Sequence, residues 1–239
     1  MKNFVFDLYG TLVDIRTDEY SQKFKNKFTK YLKKQFGADG TFFENLYATL
    51  SAYGCLEEPD IVPALRGAVL SSGGNITLPQ AESAAKKFRI LSTRKLKLYR
   101  GAKRLLKELK GRGAKLYLLS NAQAVFTVYE LKKLGIYGFF DGIVLSSDFG
   151  KKKPSPEIFV HLIEKYALNV SETVFTGNDL SCDIQPAKRA GMYAVYIKST
   201  ISPSGDDLAA AGKIADFATE GSFAAVANHL TALSKGNNL

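Results

Sequence analysis

A chain of 239 residues, 46% apolar and 23% charged, is long enough for one large α/β domain carrying a smaller insert, and its composition excludes a disordered or low-complexity chain. The net charge of +10 leaves nucleic acid, a membrane surface or a small anion open as partners, while only two cysteines, Cys55 and Cys182, exclude a disulfide framework and any zinc spacing. Both cysteines read as small buried hydrophobes. No apolar run approaches the ~20 residues of a membrane span, and the first is too short for a signal-peptide core, so a cytoplasmic protein without membrane contact is expected.

The first apolar run, residues 4–6, reads as a buried strand that ends on Asp7 and is followed by Leu8-Tyr9-Gly10-Thr11-Leu12-Val13-Asp14. A carboxylate at a strand tip, with a glycine that lets the backbone turn sharply after it, stands where a nucleophile would stand at the mouth of an α/β sheet. Residues 15–94 then break the rhythm of strands. Amphipathic helical patterns near 18–36, 41–53, 60–71 and 78–92 are separated by turn-forming stretches, and no strand is expected among them. In the first pattern Lys23, Lys27, Lys30 and Lys34 form a solvated basic face opposite Tyr20, Phe24, Phe28, Tyr31 and Gln35, so the excess positive charge there implies no nucleic acid.

Arg100-Gly101-Ala102 opens the helix that returns to the core, after which short apolar runs at 115–119, 142–145, 173–176 and 193–197 alternate with helix-like segments. This is the alternation of a doubly wound parallel sheet: an α/β core formed by residues 1–14 and 95–239, carrying an all-helical cap at 15–94. Residues 199–205 form a Ser/Pro/Gly loop after the fifth strand, and 236–239 form a tail expected to fray.

Four signals fall in order at successive strand tips. Asp7 comes with Gly10 and Thr11. Ser120-Asn121 pairs a small hydroxyl with an amide, suited to hold an anion beside exposed backbone N–H groups. Lys153 precedes Pro154, and Asp179 and Asp183 stand four residues apart after the fourth strand. Together they meet the needs of displacement on a phosphate ester. A carboxylate nucleophile repels an anionic substrate, and Lys153 together with Mg²⁺ held by Asp7 and Asp179 offsets that repulsion. Oxygen ligands favour Mg²⁺ over zinc, because the two histidines, His161 and His229, match no strand tip. Lys151 and Lys152 read as solvated surface charge that can also draw anions toward the site.

On these residues the chain resembles the haloacid dehalogenase superfamily, in the subgroup with a helical cap after the first motif, from Asn3 to about Phe217. The resemblance implies Asp7 as a nucleophile that forms a covalent intermediate, and Ser120 and Lys153 as holders of the substrate's anionic group. It places Mg²⁺ on Asp7, the Tyr9 carbonyl and Asp179, supported by Asp183. Tyr9 departs from the family's phosphatases, whose residue at this position is an aspartate that protonates the leaving group and later activates water. A phenol with an ordinary pKa near ~10 is a poor base at neutral pH.

Three readings follow. The first is Mg²⁺-dependent hydrolysis of a small phosphorylated metabolite with a good leaving group. The second is carbon–halogen hydrolysis, because 2-haloacid dehalogenases resemble this chain in reading Asp-x-Tyr-Gly-Thr; against it, no arginine lies between Arg16 and Arg66, and Phe159 stands where those enzymes carry a tyrosine. The third is a non-catalytic member that binds anions. For Tyr9 itself, packing between core and cap stands beside a direct role on the substrate.

Overall fold

The computed structural model describes residues 1–220 and 223–234, so the expected frayed tail lies outside the described residues. The chain begins with β1 (Asn3–Phe6), whose Phe4, Val5 and Phe6 are fully buried, and turns through Asp7–Leu12 into β2 (Val13–Thr17). Four helices follow: α1 (Gln22–Phe36), α2 (Phe42–Ser51), α3 (Ile61–Ser71) and α4 (Leu78–Ser92). Their ends are set locally. The Ser21 side chain caps α1 by accepting from Phe24 N, Gly37 closes that helix with φ +75°, and a reciprocal Thr77–Gln80 capping box opens α4.

Phe24, Phe28 and Leu32, one helical turn apart, bury the inner face of α1. The Phe88 ring of α4 meets Phe24 and Phe28 edge-on at 4.8 and 5.1 Å, and α2 and α3 complete this apolar cluster. The stripe read from the sequence shifts accordingly: Leu32 takes the place of Gln35, and Tyr20 lies before the helix, 79% exposed.

The chain leaves the helices through β3 (Thr93–Leu98), which pairs antiparallel with β2 from Val13–Leu98 to Thr17–Thr93. This ribbon corrects the expectation of an insert without strands. Its signal was the alternation Val13/Ile15 and Leu96/Leu98, one face half-buried against the core and the other polar. Lys95 of β3 forms an ion pair with Asp14 of β2.

The remaining elements are α5 (Ala102–Gly111), β4 (Lys115–Ser120), α6 (Ala124–Lys133), β5 (Gly142–Leu145), α7 (Ser146–Phe149), α8 (Pro156–Lys165), β6 (Thr173–Gly177), α9 (Gln185–Arg189), β7 (Tyr193–Lys198), α10 (Leu208–Ala211), β8 (Phe217–Glu220) and α11 (Phe223–Ser234). The sheet is parallel throughout, in the order β5-β4-β1-β6-β7-β8. The order reverses at β1, which puts the tips of β1, β4 and β6 side by side where ligands bind in open α/β sheets. The sixth strand, β8, escaped the sequence reading because Phe217-Ala218-Thr219-Glu220 is short, edge-placed and only partly buried. Among the described residues no helix is long and apolar enough to cross a membrane. Neither cysteine behaves as expected: Cys55 is exposed and Cys182 half-buried, because both lie on turns rather than in the core.

Two backbone hydrogen bonds join the α2–α3 loop to the loop carrying Lys153, Glu58 N to Gly150 O (3.0 Å) and Lys152 N to Leu56 O (2.9 Å). Gln123, at the start of α6, reinforces this junction. Its amide donates to Glu58 Oε1 and Pro59 O and accepts from Ile61 N.

Candidate active site

Asp7 continues the ladder of β1, its N–H bonding to Thr176 O of β6 at 2.9 Å, so its side chain emerges at the sheet edge on a fixed backbone. The next residues turn tightly, with Leu12 N and Val13 N both reaching Leu8 O at 2.9 Å. Gly10 adopts φ +92°, and a Cβ there would lie 2.5 Å from Asn178 Nδ2. Only glycine meets both the backbone and the space. Thr11 Oγ1 lies 3.2 Å from Asp7 Oδ2 and 3.2 Å from Asn178 Oδ1, linking the Asp7 loop to the turn after β6.

Lys153 is buried, and its ammonium has three partners: Asp7 Oδ1 at 2.8 Å, Leu119 O at 3.0 Å and Asp183 Oδ1 at 2.6 Å. All three N–H bonds of the ammonium are thereby used. Burial pulls the Lys153 pKa down, but the Asp183 and Asp7 carboxylates outweigh it and raise it above the usual lysine range. Ser120 Oγ donates to the same Asp7 oxygen at 3.3 Å.

Asn121 lines the cleft, with its side-chain amide turned to the Lys153 backbone. Its Nδ2 donates to Lys153 O (2.8 Å) and its Oδ1 accepts from Lys153 N (2.7 Å), so the amide clamps the backbone that presents the lysine.

After β6 the chain makes a widened turn at Leu180–Ile184. Asp179 caps it, with Oδ1 accepting from Ser181 N and Cys182 N, each at 2.8 Å, which leaves Oδ2 outside the cap. Asp183 points back under the strand tip, its Oδ2 accepting from Asn178 N (3.0 Å) and Asp179 N (3.1 Å). Gly177 makes room for this, since a Cβ there would stand 2.4 Å from the Asp183 carboxyl. Burial raises Asp183 to about 7, with Lys153 opposing and the Asp7 charge adding. Every hydrogen bond reaching Asp183 is donated to it, the bonding pattern of a carboxylate.

These groups surround a cavity of about 250 Å³ whose wall also includes Ile201 and Pro203. The loop after β7 reaches the site because Ser202 Oγ accepts from Asn178 Nδ2 (3.5 Å) and Asp206 Oδ2 from Leu180 N (2.7 Å). From the sequence this segment reads only as a Ser/Pro/Gly loop. Among the described residues, those that line this cleft come from residues 7–9 and from 120 onward, with none from 15–94.

Tyr9 borders the cleft, but its hydroxyl is turned away from Asp7. It donates to Glu130 Oε2 at 2.5 Å and lies 3.2 Å from Thr127 Oγ1, both on α6. Arg89 of α4 binds the other Glu130 oxygen at 2.7 Å, reaches Glu19 at 3.3 Å, and lays its guanidinium over the Tyr9 and Phe126 rings at 5.4 and 5.2 Å. Burial, reinforced by the Glu130 charge, raises the phenol pKa well above its ordinary value. Glu130 and Arg89 were not singled out in the sequence. Their signal was a charged residue on the buried face of an amphipathic helix.

The donor set at the cleft suits a hard cation that keeps much of its water. Asp7 and Asp179 supply carboxylate oxygens and Tyr9 a backbone carbonyl, whereas among the described residues no cluster of three His, Cys, Asp or Glu side chains exists to form a closed cage. His161 stacks on Phe149 and His229 on Phe217, both away from this cleft.

A buried lysine joining two strand-tip carboxylates at a chain reversal, beside a helical layer inserted after β1, defines a class of hydrolase rather than one reaction. Residues 1–191 match the family model described as haloacid dehalogenase-like hydrolase, and the chain belongs to that family. It is 38% identical over 92 residues to a glyceraldehyde 3-phosphate phosphatase of Methanocaldococcus jannaschii, covering 38% of this chain and 40% of that protein. It is 35% identical over 97 residues to a phosphoglycolate phosphatase of Vibrio cholerae, covering 41% and 42%. The chain thus matches about two fifths of the length of these curated relatives. A crystal structure of a HAD phosphatase from Thermococcus onnurineus superposes with a TM-score of 0.59 at 22% identity, over 91% of this chain and 93% of that one. A crystal structure of a dehalogenase superposes equally well, at 0.59 and 18% identity over 97% of each chain, so the shared fold does not separate the two chemistries.

Proposed function

We propose that this hydrolase removes phosphate from a small phosphorylated metabolite through a covalent intermediate on Asp7. The observation that carries the reading is the Lys153 ammonium, buried and 2.8 Å from Asp7, which places a fixed positive charge where an anionic substrate meets an anionic nucleophile. Phosphatase names among the relatives support the phosphoryl substrate.

In this reading Asp7 attacks phosphorus and the bond to the leaving oxygen breaks. Ser120 and Lys153, which both donate to Asp7 Oδ1 in the free site, would turn those protons to the phosphoryl oxygens, and Asn121 keeps Lys153 in register. Gly10 and Thr11 shape the loop so that Asp7 faces inward. Asp7, the Tyr9 carbonyl and Asp179 would hold Mg²⁺, with Asp183 orienting the turn that carries Asp179. When bound, the ion supplies charge neutralisation and orientation of the phosphate.

Dehalogenation stands second. Tyr9 favours it by motif, but Arg89 is tied to Glu130 and Glu19, and Phe159 is buried against Phe175 rather than presented to the cleft. The deciding experiment compares Asp7→Asn with the wild type on an activated aryl phosphate and on 2-haloacids, each with and without Mg²⁺. Mg²⁺-dependent phosphate release abolished by Asp7→Asn supports the reading, whereas release unchanged by that substitution, or halide release instead, refutes it.

A further inference from the structure

We infer that the cleft is built for phosphoryl donors whose leaving oxygen departs as a stabilised anion, as acyl, enol and aryl phosphates do, and not for alkyl phosphates; this rests on the phosphatase reading above. The ground is that the hydroxyl and ammonium groups at the cleft have other engagements. The Tyr9 hydroxyl donates to Glu130 on the far side of its ring, within a buried cluster completed by Thr127 and Arg89. The three ammonium protons of Lys153 go to Asp7, Leu119 O and Asp183. Both Asp183 oxygens accept hydrogen bonds, and Asp179 accepts from its own turn. Cys182 lies on that same turn, where its sulfur accepts from the Ser181 hydroxyl at 3.7 Å. Ser120 donates to Asp7, and the Asn121 amide is closed on the Lys153 backbone. Among the described residues lining the cleft, the Tyr9 and Ser120 hydroxyls and the Lys153 ammonium have no proton left over for a leaving alkoxide.

The electron count then selects the substrate. In the first step an Asp7 oxygen forms a bond to phosphorus and the phosphorus–oxygen bond to the leaving group breaks, its electron pair going with the leaving oxygen. A carboxylate, enolate or phenolate accepts that pair without a proton. An alkoxide does not, and loses the ~10²- to 10⁴-fold that general acid help typically supplies. In the second step water attacks the phosphorus of the Asp7 acyl phosphate, the Asp7 oxygen leaves as carboxylate, and both water protons stay on the product as dihydrogen phosphate. The Tyr9 phenol, held by Glu130, takes no proton from that water, so the phosphorylated enzyme is expected to turn over slowly.

Acetyl phosphate, 4-nitrophenyl phosphate, phenyl phosphate and glycerol 1-phosphate, tested with Mg²⁺ on the wild type, Asp7→Asn and Tyr9→Phe, span the leaving-group range. The expected result is a kcat/KM that falls by ~10³-fold or more from acetyl or nitrophenyl phosphate to glycerol 1-phosphate, with the same ratio in Tyr9→Phe. Rapid acid quench followed by intact mass should show a phosphoryl group on the wild type and none on Asp7→Asn. A series flat within ~10-fold, or a ratio that steepens in Tyr9→Phe because the phenol was donating, overturns the inference while leaving Asp7-dependent hydrolysis standing. Inactivity on all four phosphates overturns the phosphatase reading itself, and this inference with it.

Discussion

Glu130→Gln tests the buried cluster that turns Tyr9 from the cleft. The Arg89–Glu130 pair is buried, the two side chains being 12% and 3% exposed, and joins α4 to α6. Removing one partner of such a pair typically costs about 3–5 kcal/mol, because the other charge is left without compensation. Here Glu19 remains 3.3 Å from the guanidinium and is itself 29% exposed, so part of that charge stays paired. We therefore expect a loss of about 2–4 kcal/mol, seen as a fall in Tm of roughly 4–16 °C for a chain of this size. Arg89→Met should cost a similar amount, since it leaves the Glu130 carboxylate with only the Tyr9 hydroxyl. The double variant Glu130→Gln/Arg89→Met should lose less than the sum, with a coupling of about 1–3 kcal/mol in a double-mutant cycle read by urea and thermal unfolding. Additivity within about 0.5 kcal/mol would refute the claim that these groups act as one unit.

Asn121→Ala removes both hydrogen bonds to the Lys153 backbone, at a cost of about 1–3 kcal/mol for the peptide groups left unmet, and kcat should fall at least ~10-fold; full activity would show that Lys153 needs no such clamp. The raised Tyr9 pKa makes a prediction at alkaline pH. Above pH ~10 the unfolded chain releases the phenolic proton while the folded chain keeps it, so the Tyr9 contribution is complete below that pH and declines as pH rises further. The stability of the wild type relative to Tyr9→Phe should therefore fall between about pH 10 and 11.5, and a difference constant with pH would place the phenol in solvent. Asp179→Ala should abolish the rise in Tm that Mg²⁺ gives the wild type; an unchanged rise would locate the ion elsewhere.

The parallel core was legible because its strands are buried on both faces and read as unbroken apolar runs, as in Phe4-Val5-Phe6 and Leu116-Tyr117-Leu118-Leu119. The β2–β3 ribbon and β8 were not, because half-exposed strands mix lysine and threonine with their apolar positions and resemble loop or helix flanks. At the cleft, Asp7, Ser120, Lys153, Asp179 and Asp183 could be named from strand tips alone, since backbone placement decides where they point. What each does with its hydrogen bonds could not be read that way. Asn121 lies at the expected tip and binds the Lys153 backbone, a contact that depends on a loop 32 residues away in sequence. Glu130 and Arg89 belong to helices 41 residues apart and meet only because the helical layer folds back onto α6.

Tyr9 shows why replacing one residue in a motif can change what a site does without dismantling it. Its carbonyl and the turn around Gly10 depend on the backbone alone, so Asp7 keeps its place whatever side chain follows two residues later. The longer side chain reaches beyond the cleft and finds partners in Glu130, Thr127 and the Arg89 guanidinium. A short carboxylate could not span that distance and would remain beside the nucleophile, where acid–base help is needed. The same substitution therefore adds a buried tie between α4 and α6 and removes a proton donor. If so, Tyr9→Asp should move the protein in both directions together, lowering Tm while raising kcat/KM for glycerol 1-phosphate more than for acetyl phosphate. A variant that loses stability and gains nothing on the alkyl ester would mean that the cleft excludes alkyl phosphates by shape, and that the missing proton is not what limits them.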